Sequence, residues 1–161
     1  MRSTFNNWYD EKMRATPELE AITNRAEEVL EQVHTIAVVG ISRTPHKDSH
    51  FVGRYLKKAG YRIVPVNPAA EEILGEKAYE DIESIPFEVD VVDIFLGSEY
   101  IREAVMQAIK KQPQAIWLQL GTGSHDELGR EVEQAGIHFF QKRCIKVDHQ
   151  FLIRPKAEQQ N

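Results

Sequence analysis

Apolar positions change their spacing abruptly near residue 34. Before it, Leu19, Ile22, Ala26, Val29, Leu30 and Val33 recur at three- and four-residue steps beyond Pro17, predicting a helical arm over residues 1–33 with one apolar stripe. From Thr35 the run Thr35-Ile36-Ala37-Val38-Val39 is almost continuously apolar and stops at Gly40, the pattern of a parallel strand buried on both faces. Phe51, Val52, Tyr55, Leu56 and Ala59 then share a helical face, with Asp48 or Ser49 expected at the N-cap and Gly60 just past the helix end. Tyr61 to Val66 predicts a second strand, stopped by Asn67-Pro68.

A turn at Gly75 and a short helix around Tyr79 to Ile82 come next, followed by a third strand from Val89 to Phe95. Ser98 is expected to cap the following helix, Glu99 and Lys110-Lys111 match its dipole, and Pro113 prevents continuation. Ala115 to Leu118 predicts strand four. Ser124-x-x-Glu127 has the form of a capping box for a helix ending at Gly136, and Ile137 to Phe140 predicts strand five. Strands alternating with helices imply right-handed crossovers, so the fold class is α/β: a doubly wound, five-stranded parallel sheet with an N-terminal helical arm. The expected strand order is 3-2-1-4-5, which puts the ligand crevice between the Gly40 loop and the Gln119 to Gly123 loop. The expected organisation is an arm over 1–33, a binding domain over 34–150 and a C-terminal tail over 151–161.

Composition narrows the function. A chain of 161 residues suits one domain, and a formal charge of −5 argues against a general nucleic-acid or anionic-membrane surface. There is no apolar run of the roughly 18 residues a membrane span needs and none of signal-peptide form, so a cytoplasmic protein is expected. The single cysteine, Cys144, builds no disulfide framework, and the six histidines lack metal-ligand spacing, so no metal site is expected.

The segment Arg43 to Lys58 reverses the sign: Arg43, Lys47, Arg54, Lys57 and Lys58 stand against Asp48 alone, a local charge of +4. Arg54, Lys57 and Lys58 read as a solvated helix face. The loop Gly40-Ile41-Ser42-Arg43-Thr44-Pro45-His46-Lys47 reads differently, because it lies at the carboxyl edge of a parallel sheet. Its backbone N–H groups and the positive helix end suit a phosphate, the hydroxyls of Ser42 and Thr44 can donate to it, and Arg43 and Lys47 add charge. An ordinary NAD site is disfavoured. Ser42 and Pro45 stand where G-x-G-x-x-G has its second and third glycines, and strand two ends in Asn67-Pro68 with no acid for a ribose hydroxyl. No P-loop motif occurs.

Six separated motifs carry a resemblance: Ile36-Ala37-Val38-Val39-Gly40-Ile41-Ser42; Tyr55-Leu56 followed by Gly60-Tyr61-Arg62-Ile63-Val64-Pro65-Val66-Asn67-Pro68; Ile73-Leu74-Gly75-Glu76; Asp90-Val91-Val92-Asp93; Ala115-Ile116-Trp117-Leu118-Gln119-Leu120-Gly121; and Arg143-Cys144-Ile145-Lys146. From about His34 to His149 the chain resembles the small stand-alone CoA-binding proteins, similar to the CoA-binding domain of the succinyl-CoA synthetase alpha subunit. The resemblance implies a Rossmann-like fold holding coenzyme A or an acyl-CoA by its nucleotide end. It implies that Ser42, Arg43, Thr44 and Pro45 line the phosphates beside Gly40 and that Lys47 supports them. Asn67 and Pro68 would shape the adenosine side, and Leu96 with Gly97 would close over the nucleotide. Many relatives carry an arginine just after the aromatic residue of strand three, where this chain has Leu96.

Other residues read as structural or secondary. Trp117 reads as core, whereas the Gln119 amide is expected to face the cleft. Asp90 and Asp93, three apart on a strand, point to opposite faces, a poor acid–base pair; Asp93 is expected to serve a structural hydrogen bond near the sheet edge. Cys144, between Arg143 and Lys146, leaves open thiol chemistry with CoA or a role as accessory to an acyl-CoA enzyme. No nucleophile–base–orienter set stands out, so a binding module is favoured over an enzyme, and an NAD(P) oxidoreductase comes last. The amphipathic arm suits a homo-oligomer or a protein partner.

Overall fold

The computed structural model describes residues 4–159. They form two compact units: Val33–Ile145, and the N-terminal segment to Gln32 together with the segment from Lys146. Among the described residues no helix is long and apolar enough to cross a membrane.

In the smaller unit, α1 (Thr4–Met13) and α2 (Pro17–Gln32) precede the sheet, and α6 (Ile145–Leu152), whose first residue belongs to the larger unit, and α7 (Arg154–Gln159) follow it. Thr16 Oγ1 accepts the Leu19 N–H, capping α2 where Pro17 opens it. The apolar stripe buries Ala26, Val29 and Leu30, with Thr23 beside them. Tyr9 joins α1 to α6: its ring stacks on Phe151 at 4.7 Å and its hydroxyl donates to Asp148 Oδ1 at 2.5 Å. Lys156 on α7 pairs with Glu27 and Glu31 of α2, which raises its pKa.

The larger unit is the doubly wound sheet. Its five parallel strands are β1 (Thr35–Val39), β2 (Arg62–Val66), β5 (Val91–Ile94), β6 (Ala115–Leu118) and β7 (His138–Phe140). A small hairpin, β3 (Glu72–Ile73) and β4 (Glu76–Lys77), stands apart. Helix α3 (Asp48–Lys58) joins β1 to β2, α4 (Ser98–Lys111) joins β5 to β6, and α5 (Asp126–Gln134) joins β6 to β7. Right-handed crossovers put α4 and α5 on one face and α3, whose connection steps the other way, on the opposite face. The α4 and α5 face holds the main core, with Ala37, Val39, Val92, Ile94, Ile116 and Leu118 meeting Ile101, Val105, Leu128 and Val132.

The strand order corrects the sequence expectation. It is β2-β1-β5-β6-β7, so the third strand of the sheet lies beside β1, not outside β2. One physical feature explains this: β2 contains Pro65, which has no N–H to give a ladder and so suits an edge strand. The N–H of Arg62 and the carbonyl of Val66 bond toward β1, whereas the Pro65 carbonyl turns outward to accept the Tyr79 N–H. The proline's missing donor therefore falls on the outer side of the sheet. Residues 79–82, expected as a short helix, instead form this bridge and a turn.

Caps also differ from expectation. The N-caps are Lys47, Gly97 and His125, none with a side-chain cap bond: lysine and glycine offer no side-chain acceptor, the Ser49 hydroxyl accepts the Ser42 N–H, and the His125 ring meets the Thr122 carbonyl. Gly60 does end α3. With φ of 108°, its N–H reaches the Lys57 carbonyl and the Tyr61 N–H reaches Leu56, a Schellman closure.

Asp93 is not at a sheet edge and makes no structural hydrogen bond. It lies on the middle strand between Val38 and Trp117, fully buried, and neither carboxyl oxygen has a hydrogen-bond partner. Desolvation raises its pKa well above the ordinary 3.8, so the fold holds it as a neutral acid. The unfolded chain releases that proton above its ordinary pKa. Stability from this residue is therefore full in acid and falls as pH rises from about 4 to the raised folded value. Urea midpoints of wild type and Asp93→Asn should diverge across that window, with the variant gaining relative stability as pH increases; a pH-independent difference would contradict the neutral assignment.

Candidate functional site

The site grows from the end of β1. Gly40 turns the chain with φ of 83°, its N–H donates to the Val66 carbonyl, and the Phe95 N–H donates to Val39. A Cβ here would lie 2.2 Å from the Phe95 carbonyl oxygen and 2.9 Å from Leu96 Cδ2, so only glycine fits. The ends of β2, β1 and β5 are thus drawn together. Because connections leave β1 and β5 in opposite directions, this is the topological switch point. The cleft lies one strand away from the place expected: the Gly40 loop faces Leu96-Gly97, not Gln119 to Gly123.

Beyond Gly40 the loop is held by its own polar groups. The Ser42 N–H donates to Ser49 Oγ, the Ser42 carbonyl meets His50 Nδ1 at 2.8 Å, and Ser42 Oγ accepts the Thr44 N–H, leaving the Ser42 hydroxyl proton free to donate outward. Ser49 and His50, in the first turn of α3, are buried. Asn67 fastens the neighbouring loop: its Nδ2 donates to the Ile41 carbonyl and its Oδ1 accepts the Ala69 N–H. Pro45, His46 and Lys47 are exposed at the loop tip, with Arg43 exposed beside half-buried Ser42 and Thr44.

Four of the segment's five cations divide into two pairs. Lys57 is bound by Glu76 and the Leu74 carbonyl, and the Arg54 guanidinium lies over the Phe51 ring. Arg43 and Lys47 have no ion pair among the described residues, at the place where α3 presents its positive end. Unpaired cations beside a helix N-terminus suit an anion, although Asp48 stands in the first turn of α3.

A slot of about 210 Å³ has apolar walls from Val39, Val66, Ile82, Leu96 and Ala104, with Gly40 and Pro68 also in its lining. Its size suits one base with part of a sugar. Glu80, Asp81 and Glu103 rim it. Of the residues singled out in the sequence, Gly40, Pro68 and Leu96 line the slot, whereas Ser42, Arg43, Thr44, Pro45, Lys47, Asn67 and Gly97 are not in its lining; Gly97 caps α4 directly after Leu96. Sequence reasoning missed the α4 contribution of Tyr100, Glu103, Ala104 and Gln107, although their three- and four-residue spacing directly after Gly97 marks one helical face.

Residues weighed outside the slot have structural places. Trp117 is buried against Phe140, its Nε1 donating to the Arg143 carbonyl. Gln119 does not face the cleft: it is buried, and its Oε1 accepts the Ile145 N–H at the start of α6. Asp90 lies at the opposite end of the sheet, accepting the His34 and Thr35 N–H groups. Cys144 is half-buried and free.

A doubly wound parallel sheet with a glycine turn and an apolar slot at its switch point makes this a Rossmann-like α/β domain. The particular family follows from relatives: residues 34–150 match the CoA binding domain model, and the chain belongs to that family. It is 34% identical over 122 residues to YneT of Bacillus subtilis, covering 76% of this chain and 90% of that one. A Pyrococcus horikoshii OT3 protein of solved structure is 35% identical with a TM-score of 0.76, over 81% of this chain and 92% of that one. The alpha subunit of the Pyrococcus furiosus ADP-forming acetate–CoA ligase II is 29% identical over 74% of this chain, which spans 25% of the subunit. The family is thus related to acyl-CoA synthetase subunits.

The close contact at Gly40 has a measurable cost if broken. Gly40→Ala combines a positive φ with a backbone clash and should lower unfolding free energy by about 2–4 kcal/mol. Urea titration checks this, and an unchanged midpoint would mean that β1 and β5 can separate there freely.

Proposed function

We propose that the protein binds coenzyme A or an acyl-CoA as a binding module, holding the nucleotide end at the Gly40 loop. The observation that carries this reading is the pair of cations without an ion pair, Arg43 and Lys47, at the N-terminus of α3, on a loop that begins at Gly40, a residue of the apolar slot's wall. The diphosphate takes the loop, with N–H groups and the Ser42 and Thr44 hydroxyls as donors and Pro45 shaping the tip. The adenine takes the slot between Pro68 and Leu96, Asn67 holds the wall in register, and Gly97 lets the start of α4 approach. The pantetheine arm leaves along the carboxyl edge of the sheet. Family membership supports CoA over other adenine nucleotides, and the lack of glycines at 42 and 45 disfavours a dinucleotide.

A ligand that prefers the folded state raises the thermal midpoint. CoA should stabilise the protein more than NADH, NADPH or ATP at equal concentration; an equal or smaller shift with CoA would overturn the reading. Arg43→Ala should weaken CoA binding by about tenfold, ~1.4 kcal/mol, and reduce its salt dependence, as read by calorimetry. Unchanged affinity would remove Arg43 from the site.

A further inference from the structure

The two ends of this site carry opposite charge. On the loop side stand Arg43, Lys47 and the positive end of α3. On the nucleoside side the slot is rimmed by Glu80, Asp81 and Glu103, and an open groove sharing Pro68 and Glu80 with it adds Glu71 and Glu72. Slot and groove together thus hold five carboxylates and one ammonium, Lys77, which lies 5.2 Å over the Tyr79 ring. Asp81 is firmly ionised, because the Ser84 hydroxyl and N–H both donate to Oδ1 and lower its pKa. Among the described residues no arginine lines the slot or the groove, and Leu96 stands at the strand end that joins them to the loop.

Specific recognition of a phosphate monoester on a ribose requires donors that match its oxygens, usually a guanidinium fork or clustered ammonium groups. The ribose end here offers the reverse field. Resting on the CoA reading above, we infer that the site has no subsite for a phosphate on the ribose: the diphosphate and base carry the affinity, and the 3′-phosphate of CoA contributes nothing or opposes binding. The ligand class is then an adenosine diphosphate joined to a pantetheine arm, with or without the ribose phosphate, and dephospho-CoA binds at least as tightly as CoA.

Calorimetry with CoA and dephospho-CoA, at low and high salt, tests this on the full-length protein. Dephospho-CoA should bind equally or a fewfold more tightly at low salt, any gap closing at high salt as the carboxylates are screened. Glu71→Lys with Glu72→Lys, both exposed positions, should raise CoA affinity by a larger factor than dephospho-CoA affinity, because both ligands carry the diphosphate and only CoA the ribose phosphate. CoA binding more than about threefold more tightly than dephospho-CoA would overturn the inference and leave the CoA reading intact. Parallel changes for both ligands in the double variant would also overturn it. Failure of both ligands to bind the wild type would instead remove the CoA reading itself.

Discussion

The contact between Gly40 and the Phe95 carbonyl fixes the carboxyl edge of the sheet. With no side chain at 40, β1 and β5 end at the same level, and the Gly40 N–H binds the end of β2 as well. Three strands therefore finish in one tight row. The chain leaves that row in a left-handed turn that carries it over the top of β1 and into α3, while β5 passes directly into α4 on the other face. A groove has to open where the two paths part. Loop, slot and helix ends take their positions from this junction.

Much of this was legible in the residues, and the failures have physical causes. Apolar runs marked all five strands of the sheet, because strands buried on both faces leave little choice of side chain. Their order was harder, since a parallel sheet hides which strand neighbours which once all are apolar. Pro65 was the overlooked signal: a residue without an N–H is tolerated where its donor faces the rim, which argues for β2 as the outer strand. Misplacing the third strand moved the crevice by one position and gave Gln119 a cleft role that its bond to the Ile145 N–H rules out.

Side chains that serve the backbone were least visible. Ser49 suggested a helix cap and His50 suggested nothing, yet both hold the carbonyl and N–H of Ser42, which no local pattern could show because the loop must first fold back on α3. Asp93 misled in the opposite way. An acid in a strand suggests a partner, but the chain buries it among Val38 and Trp117, where its own proton replaces a counter-charge.

Asn67 has a thermodynamic consequence. Its side-chain amide fastens the Ile41 carbonyl while its own N–H is taken by the Tyr79 carbonyl, so the turn after β1 and the turn after β2 are tied before any ligand arrives. A ligand meeting such a surface does not have to organise the main chain. The entropy lost on association falls mainly on two long, exposed side chains, Arg43 and Lys47, and on the flexible ligand itself.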